Sequence, residues 1–189
     1  MRTLITGKTK LAGAIMAHLH EKIVTEKIEI ESTRVGADIP WKYFDIFINN
    51  APLNQAELLN DAFAEWKSDP SKLIINISSR AAKPNISKGY LYAAKKAELN
   101  HLADNLVYNS ERQCGIVTLS LGLLENDEVP SLTYDEVCEK IEEIIFDWYT
   151  DRPWASEITL QHRDNYRENQ QFKEELKQIE EEFYRFDHN

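Results

Sequence analysis

Short apolar stretches alternate along this chain with longer stretches of helical periodicity. Residues 73–77 and 115–121 are mainly apolar, and β-branched residues are frequent in them. Strands of this composition are buried on both faces, which occurs when helices cover both sides of a parallel sheet. The alternation therefore predicts an α/β fold with a doubly wound parallel sheet.

The spacing of apolar residues predicts ten elements, because it recurs every second residue in strands and every three or four residues in helices. The predicted strands are residues 3–6, 27–33, 45–48, 73–77, 115–121 and 157–161, and the predicted helices are residues 11–22, 57–66, 92–108 and 134–149. No repeat or low-complexity linker separates these elements, so residues 1–161 are expected to form a single domain.

Residues 162–189 differ from the rest of the chain, because they are highly charged and carry no strand signal. Their apolar residues recur at steps of three and four, which places them on one face of a helix. These residues are Phe172, Leu176, Ile179, Phe183 and Phe186. The pattern predicts a C-terminal amphipathic helix that docks on the parent domain or on a second copy of the chain.

The overall charge and composition exclude several classes of protein. A formal net charge of −10 argues against a nucleic-acid or anionic-membrane partner, since either would select a basic surface. No stretch approaches the ~20 apolar residues of a membrane span, and the N-terminus lacks a signal-peptide layout. Cys114 and Cys138 form no close-spaced metal pattern. We therefore expect a cytoplasmic protein with reduced cysteines and no metal.

The sequence TLITGKTKLAGAI, at residues 3–15, combines a strand, a glycine-bearing turn and the start of a helix. In a doubly wound sheet, the first such turn places a helix N-terminus against a cofactor pyrophosphate. Gly7 permits a tight turn, and Gly13 can let the helix approach the strands closely. The same glycines also suit a turn that binds no ligand.

The sequence NNAP, at residues 49–52, follows a later predicted strand. Asparagine side chains at that position can tie neighbouring strand ends together and frame a cofactor site. The alternative interpretation is a simple Asx-turn before a proline.

A serine, a tyrosine and a lysine are spaced as a proton-transfer site requires. Tyr92 and Lys96 are four residues apart and share a helix face. An ammonium beside a phenol favours the phenolate, which allows proton transfer near neutral pH. Ser79 follows a predicted strand, thirteen residues before Tyr92, and can hold a substrate oxygen. The alternative is a solvated Tyr/Lys pair on a surface helix.

In this order the motifs resemble those of the short-chain dehydrogenase/reductase family. TGKTKLAG is similar to its glycine-rich turn, NNAP to its Asn-Asn-Ala-Gly motif, NISS to its serine strand and YAAKKAEL to its Tyr-x-x-x-Lys helix. VTLSLGLL resembles the strand and Pro-Gly turn that follow. The resemblance covers residues 2–161. It implies a Rossmann-type sheet and hydride transfer between a nicotinamide cofactor and a small carbonyl or alcohol substrate.

The resemblance also implies roles for individual residues. Tyr92 is the general acid/base, Lys96 holds the cofactor ribose and tunes Tyr92, and Ser79 orients the carbonyl. The family's fourth catalytic residue is an asparagine on the helix before the serine strand, for which Asn54 is the candidate and Asn60 the alternative. The implied cofactor-binding residues are Gly7, Lys10, Leu11, Gly13, Arg34, Asn49, Asn50, Ala51, Tyr92, Lys96 and Gly122.

The residues after the second predicted strand bear on the choice between NADP and NAD. An NAD site usually offers a carboxylate to the ribose, whereas an NADP site offers a basic group to the 2′-phosphate. Arg34 can bind a phosphate with both arms of its guanidinium group. Lys10 lies in the glycine-rich turn, where family members that prefer NADP often carry a basic residue. Glu31 favours NAD. We predict NADP, with NAD as the alternative.

The sequence also departs from the family pattern. Leu11, Pro52 and Leu121 replace two glycines and a proline, and the segment after Gly122, where relatives carry a substrate loop, is short. Residues 34–45 are too few for the family's usual helix and strand, so one βα unit is predicted to be deleted.

Two functional hypotheses follow from this combination of retained and altered motifs. The first is an active NADP-dependent reductase. The second is a catalytically degenerate dinucleotide-binding or assembly protein of the same fold. Members of the family commonly associate through their long helices, so the resemblance also implies a homo-oligomer, either a dimer or a tetramer.

Overall fold

Six parallel strands form one sheet in the computed structural model, which describes residues 1–22, 27–31 (backbone only), 38–52, 54–83 and 89–165. The strands are β1 (Arg2–Thr6), β2 (Lys27–Glu31), β3 (Ile46–Asn49), β4 (Leu73–Ser79), β5 (Gly115–Leu121) and β6 (Glu157–Leu160). Their order across the sheet is β2-β1-β3-β4-β5-β6, and every neighbouring pair is parallel. The strand order therefore reverses between β1 and β3.

Helices cover both faces of the sheet. Those in the described residues are α1 (Lys10–Lys22), α2 (Gln55–Trp66), α3 (Tyr90–Val107) and α4 (Tyr134–Tyr149). α1 packs beside α4 on one face, and α2 packs beside α3 on the other. The predicted α/β fold with a doubly wound parallel sheet is confirmed. None of the described helices is long and apolar enough to cross a membrane.

Neighbouring residues of the central strands enter different apolar cores. Leu4 and Ile74 pack towards α2 and α3, whereas Ile5 and Ile75 pack towards α1 and α4. Successive side chains of a strand point to opposite faces, so a sheet covered on both sides requires apolar residues at every position. This two-sided burial explains the nearly continuous apolar strands in the sequence.

The two cysteines are free and buried, and they lie on opposite faces of the sheet. Cys114 belongs to the core beside α2 and α3, and Cys138 to the core beside α1 and α4. Burial raises the pKa of each thiol to about 11. Both side chains therefore stay protonated near neutral pH.

The connection between β2 and β3 is short. Its described residues contain a single 3₁₀ turn, Trp41–Tyr43, and β1 pairs directly with β3. This arrangement agrees with the predicted deletion of one βα unit.

The predicted C-terminal helix falls almost entirely outside the described residues. Arg163–Asn165 form a short 3₁₀ turn after β6. Residues 166–189, which include the whole apolar stripe, lie beyond the described part of the chain.

Candidate active site

The predicted site residues gather at the carboxyl ends of the parallel strands. β1 ends at Thr6, β3 at Asn49 and β4 at Ser79. In open α/β sheets, ligands bind outside the carboxyl ends of the strands, at the point where the strand order reverses. That point lies between β1 and β3, beside the turn that contains Gly7.

The turn from β1 to α1 requires glycine at position 7. Gly7 has a φ of +85°, a backbone conformation that residues with a side chain rarely adopt. A Cβ atom there would lie 2.9 Å from the carbonyl oxygen of Asn50 and 3.1 Å from the Cα of Ala51. The tight turn expected at Gly7 is therefore present, and it presses directly against the end of β3.

Thr9 directly precedes α1 and connects the start of the helix to the NNAP segment. Its Oγ1 accepts hydrogen bonds from the backbone N–H of Ala12 at 3.1 Å and from Asn50 Nδ2 at 2.9 Å. The helix N-terminus is thus fixed beside the carboxyl end of β3. Lys10, the first residue of α1, is exposed at this end of the helix.

The surroundings of Leu11 and Gly13 differ from those that the sequence suggested. Leu11 stands where the family has a glycine, and its side chain is buried in the core beneath α1. It therefore does not fill the space in front of the helix N-terminus. A Cβ atom at Gly13 would have no described atom within 4 Å. The expectation that Gly13 lets α1 approach the strands closely is wrong.

The NNAP asparagines tie strand ends together. Asn49 Nδ2 donates to Asn76 Oδ1 on β4 at 3.0 Å and to the carbonyl oxygen of Gln55 at 2.8 Å. The N–H groups of Asn50 and Ala51 donate to Thr6 Oγ1 at 3.1 and 3.3 Å. Because the Ala51 N–H is bonded to Thr6, Asn49 forms no Asx-turn, and that alternative is wrong.

Lys96 is buried one helical turn from Tyr92. Its side chain is only 7% exposed, and its Nζ lies 5.8 Å from the centre of the Tyr92 ring. Nζ donates to the carbonyl oxygen of Ile77 at 2.9 Å and to Gln55 Oε1 at 2.5 Å. Burial lowers the pKa of Lys96 to about 8. The alternative of a solvated Tyr/Lys pair is therefore wrong for the lysine.

Ser79 occupies the last position of β4 and begins a 3₁₀ turn, Arg80–Ala82. Its Oγ accepts the N–H of Ala81 at 3.2 Å, which leaves the hydroxyl proton free to be donated. Within the described residues no hydrogen bond joins Ser79 to Tyr92. The preceding Ser78 is buried and bonds to Asn100 at 2.5 Å.

Neither asparagine candidate for the fourth catalytic position forms a hydrogen bond with Lys96, whose described partners are Gln55 and Ile77. Asn54 precedes α2 in a left-handed conformation, with a φ of 61°, and its side chain does not cap the helix. Asn60 is exposed on α2. Gln55, the first residue of α2, contacts Lys96 instead, and it was missed in the sequence. The available signal was a polar side chain in the first helical turn after NNAP.

A small cleft of about 40 Å³ lies between the start of α2 and the start of α3. It is lined by Pro52, Asn54, Gln55, Ala56, Glu57, Tyr92, Lys95, Lys96 and Glu98. A buried water needs roughly 10–15 Å³ of such space, so the cleft has room for a few water molecules. It reaches both members of the Tyr92–Lys96 pair.

The remaining predicted cofactor residues are placed as follows. Gly122 continues the pairing of β5 with β6, and a Cβ atom there would lie 2.6 Å from the Cβ of Gln161. A larger residue would therefore separate these two strand ends. Arg34 lies outside the described residues.

Within the described part of the chain, no group of three or more His, Cys, Asp or Glu side chains converges as a metal site would require.

No protein-family model and no curated protein matches the sequence. Solved structures do match. Serine dehydrogenase from Escherichia coli superposes with a TM-score of 0.66 at 15% identity, covering 86% of this chain and 98% of that one. The closed form of serine dehydrogenase complexed with NADP⁺ gives 0.64 at 14% identity, with 86% and 95% covered.

A gluconate 5-dehydrogenase from Burkholderia cenocepacia J2315, in complex with NADP and tartrate, gives a TM-score of 0.62 at 15% identity, with 84% and 92% covered. Similar structures also include proteins described as short-chain dehydrogenases. The fold of this chain is therefore that of the short-chain dehydrogenases. The resemblance in the sequence motifs correctly predicted this fold.

Proposed function

We propose that this protein is an NADP-dependent oxidoreductase that transfers a hydride between the nicotinamide cofactor and a small carbonyl or alcohol substrate. The observation that carries the proposal is the buried Lys96 beside Tyr92. Lys96 is bonded to Gln55, whose amide reaches the end of β3 at Asn49, and the Gly7 turn packs against the next residue, Asn50. A buried ammonium has a high desolvation cost, and such groups concentrate at functional sites.

Each residue of the serine, tyrosine and lysine set has a separate task in this proposal. The bound cofactor supplies the hydride. The Tyr92 hydroxyl gives its proton to the carbonyl oxygen during reduction and takes it back during oxidation. The positive charge of Lys96 stabilises the negative charge that then remains on the Tyr92 oxygen. Ser79 donates a hydrogen bond from its hydroxyl to the same substrate oxygen and keeps its proton.

Three features of the β1–α1 turn support binding of a dinucleotide. Gly7 keeps the turn tight, and Thr9 fixes the N-terminus of α1, which is where a pyrophosphate binds in such folds. Leu11 points into the core and leaves this space open. Three of the similar structures were solved with NADP or NADP⁺. Lys10 is exposed at the same helix end and can bind the additional phosphate.

Replacing Lys10 by alanine should weaken NADPH binding about tenfold, because a charge-assisted hydrogen bond to the 2′-phosphate is lost. NADH lacks this phosphate, so its dissociation constant should stay within about twofold of the wild-type value by the same argument. Titration of both cofactors against the purified protein measures the difference.

Lys42→Ala is the control, since Lys42 is an exposed lysine before the amino end of β3, at the end of the sheet opposite the site. It should leave both dissociation constants unchanged. Arg34→Ala tests the second proposed cation in the same assay. Equal effects of Lys10→Ala on both cofactors, or a wild-type preference for NADH, would contradict the assignment of NADP.

A screen of aldehydes, ketones and sugar derivatives with NADPH, followed by the loss of NADPH absorbance, tests the reaction itself. Turnover of any carbonyl compound supports the proposed oxidoreductase. Tight NADPH binding without turnover across the screen would favour the alternative of a catalytically degenerate dinucleotide-binding or assembly protein.

We further propose that the protein forms a homo-oligomer, either a dimer or a tetramer. The family that it resembles commonly associates through long helices, which correspond here to α2 and α3. Light scattering over a concentration series should give a molar mass of at least twice the 22.0 kDa of one chain. A mass that stays at 22.0 kDa at tens of micromolar would reject the oligomer.

A further inference from the structure

We propose that Gln55 is a positioning residue of the Tyr92 site, and that its side-chain oxygen holds the Lys96 ammonium in place by a direct hydrogen bond. This inference rests on the proposed function for its catalytic meaning. Its structural part rests on the contacts of Gln55 alone. It assigns to a glutamine the position for which the sequence suggested an asparagine.

The chemistry of its partners fixes the orientation of the Gln55 amide. Nε2 donates to the carbonyl oxygen of Asn49 at 2.6 Å and to that of Ile77 at 3.0 Å. Carbonyl oxygens only accept, so the amide nitrogen must face them. The amide oxygen then points away from the strand ends and towards Lys96 Nζ, which only donates. The reversed amide would place its oxygen against two carbonyl oxygens and its nitrogen against the Lys96 ammonium. None of these pairs can form a hydrogen bond.

Lys96 depends on Gln55 for one of its two acceptors among the described residues. The ammonium group has three donors, of which one bonds to Gln55 Oε1 and one to the carbonyl oxygen of Ile77. Ile77 therefore receives hydrogen bonds from both side chains. The third ammonium donor remains for a bound ligand. Loss of the Gln55 oxygen would leave a buried ammonium with a single acceptor.

A neutral acceptor suits the task better than a carboxylate. Gln55 satisfies a donor of Lys96 without cancelling its charge, so that the charge still acts on Tyr92. The other charged groups around the cleft are Glu57 on α2 and Lys95 and Glu98 on α3. A glutamate at position 55 would neutralise Lys96 directly. It would also turn a second oxygen towards two strand carbonyls.

The titration of Lys96 reports this contact without any cofactor or substrate. Protein labelled with ¹⁵N and ¹³C in its lysines can be titrated by NMR, with Lys96→Arg used to assign the signal. In the wild type, Lys96 should titrate near pH 8, in line with its pKa of about 8. Gln55→Met keeps the side-chain length but removes the acceptor, and it should lower the Lys96 pKa by about one unit, a tenfold change in protonation.

Gln55→Glu should act in the opposite direction and raise the Lys96 pKa by one unit or more, because a carboxylate favours the ammonium form. Asn60→Ala, on the exposed face of the same helix, is the control and should leave the titration unchanged. The opposite signs of the two Gln55 variants cannot arise from a general loosening of the site.

An unchanged Lys96 pKa in Gln55→Met, or a lowered one in Gln55→Glu, would overturn the proposal. If neither variant folds, a measurement on the wild type alone still tests the proposal. The Lys96 ammonium protons should exchange with water more slowly than those of exposed lysines such as Lys8, and equal rates would overturn the proposal. Failure to find turnover would count against the oxidoreductase but would not alter these results.

Discussion

Replacing Tyr92 by phenylalanine is expected to lower turnover by about 10²–10⁴-fold, the usual contribution of general acid/base catalysis. The substitution removes only the hydroxyl, which makes no hydrogen bond to any described residue. The ring over which Lys96 Nζ lies, at 5.8 Å, is retained. NADPH binding should therefore change little. Steady-state kinetics and a cofactor titration on the same preparation separate the two quantities.

Tyr90→Phe provides a matched control for this experiment. Tyr90 lies on the same helix, two residues before Tyr92, and is 92% exposed, compared with 39% for Tyr92. Its phenylalanine variant should keep wild-type turnover. If the Tyr92 variant also keeps wild-type turnover on an accepted substrate, Tyr92 is not the acid of the reaction.

Replacing Gly7 by alanine is expected to damage both stability and cofactor binding. The substitution forces a side chain into a left-handed conformation, which costs about 1–3 kcal/mol. It also places a methyl group 2.9 Å from the backbone oxygen of Asn50, in contact with the NNAP segment. The turn must shift, and the N-terminus of α1 should shift with it. Urea denaturation measures the first effect and NADPH titration the second.

Gly13→Ala is the corresponding control on α1. Alanine is favoured over glycine inside a helix by about 0.5–1 kcal/mol, and no described atom obstructs the added methyl group. This variant should therefore be slightly more stable than the wild type. Similar losses in the two glycine variants would show that the turn at Gly7 has no special conformational requirement.

Element limits were predicted best where local chemistry marks them. The helix predicted at residues 134–149 has those limits, and Thr133 and Glu136 form a capping box at its start. α2 and α3 each begin two residues earlier than predicted. Gly89, before α3, has no side chain to form a cap. Asn54, before α2, is a residue type that favours an N-cap, but its side chain forms no cap hydrogen bond.

The site could be predicted from the sequence only where function is carried by local motifs. Gly7 and the asparagine pair were found because short spacing places them at strand ends. Gln55 was missed because its contact with Lys96 joins residues 41 positions apart. Leu11 looked like the loss of a phosphate-binding glycine, whereas its side chain is directed into the core. Sequence spacing carries no information about that direction.

The positions of the two thiols allow alkylation to report which part of the core becomes exposed during unfolding. Cys114 and Cys138 are buried in different cores, separated by the sheet. Only a thiolate reacts quickly with alkylating reagents, and burial suppresses that form at both positions. Alkylation at Cys114 therefore marks exposure of the layer beside α2 and α3. Alkylation at Cys138 marks exposure of the layer beside α1 and α4, so the order in which the two react distinguishes partial from global unfolding.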